Sequence, residues 1–147
     1  MGQINWGRVL LGGLLAGLVI NVGESVLNLV VFADEMQLMQ DEMGLEPPSS
    51  IWMVVYILLA FIGGTIITCL YAAMRPRFGP GPRTALISGA TVWFLAWFWP
   101  MITMAPIFAP HFVLSAYVMA MIYTFIEVQL AALAAGWLYK EAEARMA

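Results

Sequence analysis

Four apolar stretches, residues 9–32, 51–74, 85–102 and 112–139, leave this chain few ways to fold. Each is long enough to cross about 30 Å of hydrocarbon at about 1.5 Å per helical residue. The composition agrees: 63% of the residues are hydrophobic, 10% are charged, and the mean hydropathy is +0.88, which excludes an ordinary soluble domain of 147 residues. The expected fold is an all-α membrane protein with one transmembrane domain over 1–147, its four helices arranged up-down-up-down. Arg8 ahead of an apolar run, with Val31-Phe32-Ala33 beyond it, superficially resembles a cleaved signal. The run is about 24 residues long and carries Asn21, Glu24 and Asn28, so a retained helix is expected instead.

The connections set the expected topology. Between the first two stretches, Asp34, Glu35, Asp41, Glu42 and Glu46 interleave with Met36, Leu38, Met39, Met43 and Leu45 before Pro47-Pro48. This pattern predicts a short amphipathic surface helix that stops at the prolines. Residues 75–83, rich in arginine, proline and glycine, read as a rigid basic turn. Arg8, Arg75, Arg77, Arg83, Lys140 and Arg145 all fall on one side if both termini and this turn are cytoplasmic. A bacterial inner-membrane location follows as the expectation, with the acidic connection and a 106–111 turn carrying His111 outside. Trp6, Tyr71, Phe78, Trp137 and Tyr139 would then mark the inner interface, and Trp52, Tyr56, Trp99 and Phe112 the outer one.

One polar stripe interrupts the first stretch. Gly13, Gly17, Asn21, Glu24 and Asn28 fall within an arc of roughly 80° at about 100° per residue, with Ser25 at its edge. An ionisable group and two amides at membrane depth are costly and must face protein or water. The fourth stretch carries a second acid, Glu127, on a side with Ala116, Ala120, Tyr123, Thr124, Ala131 and Ala134. Small residues at that spacing admit a neighbouring helix, and the glycines of the first stretch offer the matching surface, so these two helices are expected to pack along Gly17, Asn21 and Glu24 against Ala120, Glu127 and Ala131. The depths match: Glu127 lies about 19 Å from Lys140, and Asn21 and Glu24 lie about 19 to 24 Å from Arg8.

Two carboxyl groups with no basic residue at their depth cannot both be ionised in a dry interior, so the pair is expected to hold a proton or a cation. The expected proton or ligand site comprises Glu24, Glu127, Asn21, Asn28, Tyr123 and Thr124, with Gly13, Gly17, Ala120 and Ala131 as packing residues. It fits a small carrier or relay, or a purely structural hydrogen-bonded contact in an accessory or scaffold subunit. Trp93 and Trp97, one turn apart, are either core packing or a stacking platform. Gln129 points about 160° from Glu127 and needs a second buried face, for which the ridge Ala60, Gly64, Thr68 and Ala72 of the second stretch or another protomer is a candidate. Cys69 cannot form an intramolecular disulfide and reads as a packed thiol.

No phosphate loop, dinucleotide fingerprint, catalytic triad or metal-ligand spacing is present in the sequence. Enzyme activity, cofactors, metals and nucleic-acid binding are therefore not expected. The expected partners are the lipid bilayer, a second copy or another membrane protein, and anionic lipid at Arg75, Arg77 and Arg83. The run Leu70-Tyr71-Ala-Ala-Met-Arg75-Pro-Arg-Phe-Gly-Pro-Gly-Pro-Arg-Thr-Ala-Leu86, with Gly-Leu-Val-Ile-Asn-Val-Gly-Glu24 before it, resembles small bacterial four-helix integral membrane proteins of unknown function. That resemblance implies four helices in a bacterial inner membrane and assigns no activity or functional residue.

Overall fold

The computed structural model describes residues 4–108 and 114–141. All the secondary structure among them is helical: α1 (Trp6–Val26), α2 (Ala33–Met43), α3 (Ser50–Phe78), α4 (Pro82–Trp93), α5 (Trp99–Phe108) and α6 (Leu114–Leu138). Two five-residue π-helical segments complete the order, Leu27–Val31 after α1 and Phe94–Phe98 between α4 and α5. Four continuous helical stretches, Trp6–Val31, Ser50–Phe78, Pro82–Ile107 and Leu114–Leu138, are long and apolar enough to cross a membrane. This is the architecture of a multi-pass membrane protein. His111, Phe112 and Arg145 lie outside the described residues.

Local chemistry sets the helix ends. Asn5 caps α1 by accepting a hydrogen bond from the Arg8 N–H at 3.2 Å. The amphipathic helix α2 forms where the acidic and methionine residues alternate, but it ends at Gly44, ahead of the prolines. Gly44 adopts φ 63°, and the Leu45 N–H returns to the Gln40 carbonyl at 2.8 Å, closing the last turn in a Schellman arrangement. α2 also does more than rest on headgroups, because Met36 and Met39 pack on the buried Leu27, Phe32 and Ala116 cluster or line the space beside it.

Residues 75–78 were expected in a turn, yet α3 runs through Pro76 to Phe78. A proline so near a helix end forfeits one hydrogen bond in the last turns and leaves the preceding ladder intact. The true turn is residues 79–81, where Gly79 (φ 83°) and Gly81 (φ 126°) supply left-handed backbone. It is pinned by the Gly81 N–H donating to the Tyr71 hydroxyl at 3.2 Å and the Thr84 hydroxyl donating to the Gly79 carbonyl at 2.7 Å. Pro106 likewise falls inside α5 instead of in a turn.

The closest helix crossing joins α1 to α3. A methyl on Gly64 would sit 2.4 Å from both the Gly13 carbonyl oxygen and the Gly17 nitrogen, while Gly13 lies against Thr65 and Gly17 against Phe61. The expected partner of these glycines was the last helix, so this is a correction. The ridge Gly64, Thr68 and Ala72 is the complementary small-residue face, and Gly13 and Gly17 complete it in antiparallel register. The α1 surface toward α6 is instead made by Gly12, which approaches the Ala135 carbonyl, and by Gly23. α6 packs on α1, α3 and α4, with Val128, Ala131, Ala132 and Ala135 fully buried.

The basic residues gather at one end. Arg75 lies 3.5 Å from Glu141 and 5.7 Å from the centre of the Tyr139 ring, and the Asn5 N–H donates to the Tyr139 hydroxyl at 3.3 Å. These contacts tie the start of α1, the end of α3 and the chain beyond α6 together. Tyr71 and Tyr139, expected at an interface, are buried and meet edge to face with centroids 5.8 Å apart. Trp6, Phe78 and Trp137 at the same end are exposed, as are Trp52, Tyr56 and Trp99 at the other.

Candidate functional site

The second acid is the more deeply buried. Glu127 is 5% exposed, and neither of its carboxyl oxygens has a hydrogen-bond partner. Its side chain projects from α6 onto Gly23, where a methyl group would fall 2.5 Å from its carboxyl carbon. The Glu24 N–H faces the carboxyl but does not meet it at hydrogen-bonding geometry. The Tyr123 hydroxyl, one turn earlier on α6, donates to the Gly23 carbonyl at 3.0 Å and locks the two helices at this level. Only a glycine at position 23 leaves room for Glu127.

Glu24 is half-buried and fully engaged. Its Oε1 accepts the Trp97 indole N–H at 2.9 Å, and its Oε2 accepts the Asn28 Nδ2 at 3.0 Å. Asn28 also donates to the Glu24 carbonyl at 2.8 Å. Both partners lie in π-helical segments. In the first, the Phe32 N–H reaches the Leu27 carbonyl at 2.9 Å, and in the second the Trp99 N–H reaches Phe94. Each inserts a residue into the α-helical repeat and turns the residues beyond it by about 100°. Pro100 explains the second, since it lacks an N–H and an α-helical continuation would drive its ring into the Ala96 carbonyl.

The two acids are therefore neighbours across the α1/α6 contact, in line with the depth match. Asn21 does not join them in a shared site: its Nδ2 donates to the Gly17 carbonyl at 2.9 Å and to the Ile57 carbonyl of α3 at 3.3 Å. A stripe about 80° wide straddles two neighbouring helices, so the edge carrying Gly13, Gly17 and Asn21 meets α3 while Glu24 turns toward α6. Thr124 accepts the Trp93 indole N–H at 3.1 Å and itself faces the Ala120 carbonyl. Trp93 packs edge to face on Phe125 at 5.0 Å. The two tryptophans thus meet the site through their N–H groups and not through open ring faces. Ala131 is fully buried in the bundle centre, and Ala120 lines a cavity beside the site.

Gln129 does find a second buried face, but on α4. Its amide, with nitrogen toward α4's Leu86 carbonyl and oxygen toward the Ala90 N–H, makes both bonds at 3.0 Å across the gap left by Gly89. The ridge on α3 proposed for it is occupied by α1. Gly23 and the Trp97 to Glu24 bond were not legible in the stripe. A signal existed for the second, because an indole N–H held at membrane depth needs an acceptor.

The basic residues stand far from this site. Arg8 is about 24 Å from Glu24 by helical rise, and Arg75, Arg77, Arg83 and Lys140 share its end of the bundle. Among the described residues no three His, Cys, Asp or Glu side chains gather as metal ligands. Among the described residues the arrangement is one of two adjacent carboxyl groups, one satisfied by neutral donors and one faced only by the Glu24 N–H, with no basic side chain bonded to either. Compared with protein-family models, curated proteins and solved structures, the chain matches none of them.

Proposed function

We propose that this protein crosses a bacterial inner membrane four times, up-down-up-down, and that its Glu24/Glu127 pair binds a proton or monovalent cation in a transport cycle. The observation that carries the reading is Glu127, buried with both carboxyl oxygens unpartnered beside a second acid. A carboxyl in such a place is neutralised by a proton or a bound cation. A purely structural carboxyl is expected to donate its proton to a neighbouring carbonyl, and here the nearby Gly23 carbonyl takes its hydrogen bond from Tyr123.

A carrier also needs space beside its charge. An open cavity of about 350 Å³ reaches Asn28, the residue bonded to Glu24. A scaffold subunit is expected to have a dry, closed stripe at this level. The clustering of Arg8, Arg75, Arg77, Arg83 and Lys140 supports an orientation with that end in the cytoplasm and the acidic α2 outside. Arg77 and Arg83 are exposed there and suit anionic lipid headgroups, whereas Arg75 is engaged with Glu141 and Tyr139.

Infrared difference spectroscopy of the protein in lipid nanodiscs tests the proton. The wild type is expected to show a protonated carboxyl C=O stretch that Glu127→Gln removes, while the variant keeps the fold and loses proton-coupled ion flux in liposomes. Identical spectra for the two proteins, or unchanged flux in the variant, would reject the reading.

A further inference from the structure

The cavity beside the carboxyl site lies one helical turn from Glu24 along α1, among the end of α1, α2, α5 and α6. Two pairs of thioethers line it, Met36 and Met39 from α2 and Met101 and Met104 from α5, each pair at i, i+3 on one helix face. Phe32 and Tyr117 add aromatic rings. Asn28 lines the side nearest Glu24. Its nitrogen is committed to the Glu24 carbonyl and Oε2, so the polar atom it has left is an acceptor oxygen. The Tyr117 hydroxyl donates to the Met101 carbonyl, and Pro100 has no N–H to offer. Among the described residues, no Lys, Arg or His lines the cavity.

The wall is mostly apolar, and the polar and polarisable atoms it presents are electron-rich: four thioether sulfurs, two aromatic rings and the Asn28 amide oxygen, with the carboxyl of Glu24 behind Asn28. Such a wall favours a positive, polarisable guest. Size separates the two kinds of soft cation. At about 350 Å³ the cavity is in the range that encloses organic ligands, about 300 to 1,000 Å³, and far exceeds what a single thioether-bound metal ion fills. Methionines, with flexible unbranched side chains, repack around guests of different outline.

We propose that this cavity binds a lipophilic organic monocation, its charged centre toward Asn28 and Glu24 and its apolar groups among the four methionines. The inference rests on the proton site described above, because the arriving cation replaces the proton held by the carboxyl pair and the local charge is unchanged. Among the described residues, Glu127 and Tyr123 from α6 are the titratable groups that act on Glu24, and Trp97 and Asn28 face it as neutral donors.

Equilibrium binding to the protein in nanodiscs, with tetraphenylphosphonium and tetraphenylborate as ions of like shape and opposite charge, tests this. The phosphonium is expected to bind saturably, and Glu24→Gln or the cavity-filling Ala120→Phe is expected to weaken it at least about tenfold, or about 1.4 kcal/mol. The borate is expected to show only the partition seen with empty nanodiscs. Met104→Trp, at the exposed rim, is a second filling variant if Ala120→Phe does not fold. Equal binding of both ions, which marks a slot for acyl chains, overturns the proposal. So does phosphonium binding that neither filling variant weakens, or saturable silver(I) binding without phosphonium binding. A carboxyl band that responds to Glu127→Gln, together with no phosphonium binding, overturns this inference alone and leaves the proton site standing.

Discussion

Glu127 occupies space that only a glycine at position 23 leaves open, for a methyl there would lie 2.5 Å from its carboxyl carbon and 2.8 Å from its Oε1. The atoms in conflict are the far end of a flexible side chain, so the helices need not separate. Gly23→Ala is expected to fold with a loss of about 1 to 2 kcal/mol, within the usual cost of overpacking. It should also move the carboxyl out of its place, which an altered frequency of the infrared carboxyl band would report. An unchanged band would mean that Gly23 does not position Glu127.

The two tryptophan bonds should differ in strength. Trp97 donates to a carboxylate oxygen at 2.9 Å and Trp93 to a hydroxyl at 3.1 Å. Hydrogen bonds to charged groups contribute more than neutral ones, with interhelical bonds in lipid reaching about 1.7 kcal/mol. Trp97→Phe is therefore expected to cost about 1 to 2 kcal/mol in unfolding measured in bicelles, and Trp93→Phe about half as much. The reverse order would argue that the Trp97–Glu24 bond does not form in the membrane.

Two adjacent glycines of α3 provide a matched pair for the helix crossing. A methyl on Gly64 would lie 2.4 Å from backbone atoms of α1, whereas a methyl on Gly63 meets nothing within 4 Å. Gly63→Ala should be neutral or stabilise by up to about 1 kcal/mol through helix propensity. Gly64→Ala should destabilise by about 3 kcal/mol or more, because the obstructing atoms are backbone and cannot turn aside. Equal melting temperatures for the two variants would contradict the α1/α3 contact.

The membrane orientation can be read from a single thiol. Cys69 is the one cysteine in the chain, so Cys69→Ala combined with Pro80→Cys leaves one reactive group, in the exposed turn at residues 79–81. Membrane-impermeant maleimide is expected to label it only after the cells are opened. Labelling in intact cells would invert the topology.

The sequence by itself determined the four helical spans, though not all of their ends, the amphipathic helix and the presence of two acids at similar depth. These follow from run length, composition and rise per residue, which are properties of single helices. It did not determine that Gly13, Gly17 and Asn21 serve α3 while Glu24 serves α6, that Gln129 bonds to α4, or that Tyr71 and Tyr139 are core residues. Small-residue stripes on different helices are chemically alike, so only the packing of the whole bundle selects which two meet. The π-helical segments, too, became legible only in the tertiary structure: an inserted residue leaves the apolar pattern almost unchanged yet turns everything beyond it by about 100°, bringing Trp97 to Glu24 and shaping the methionine-lined cavity.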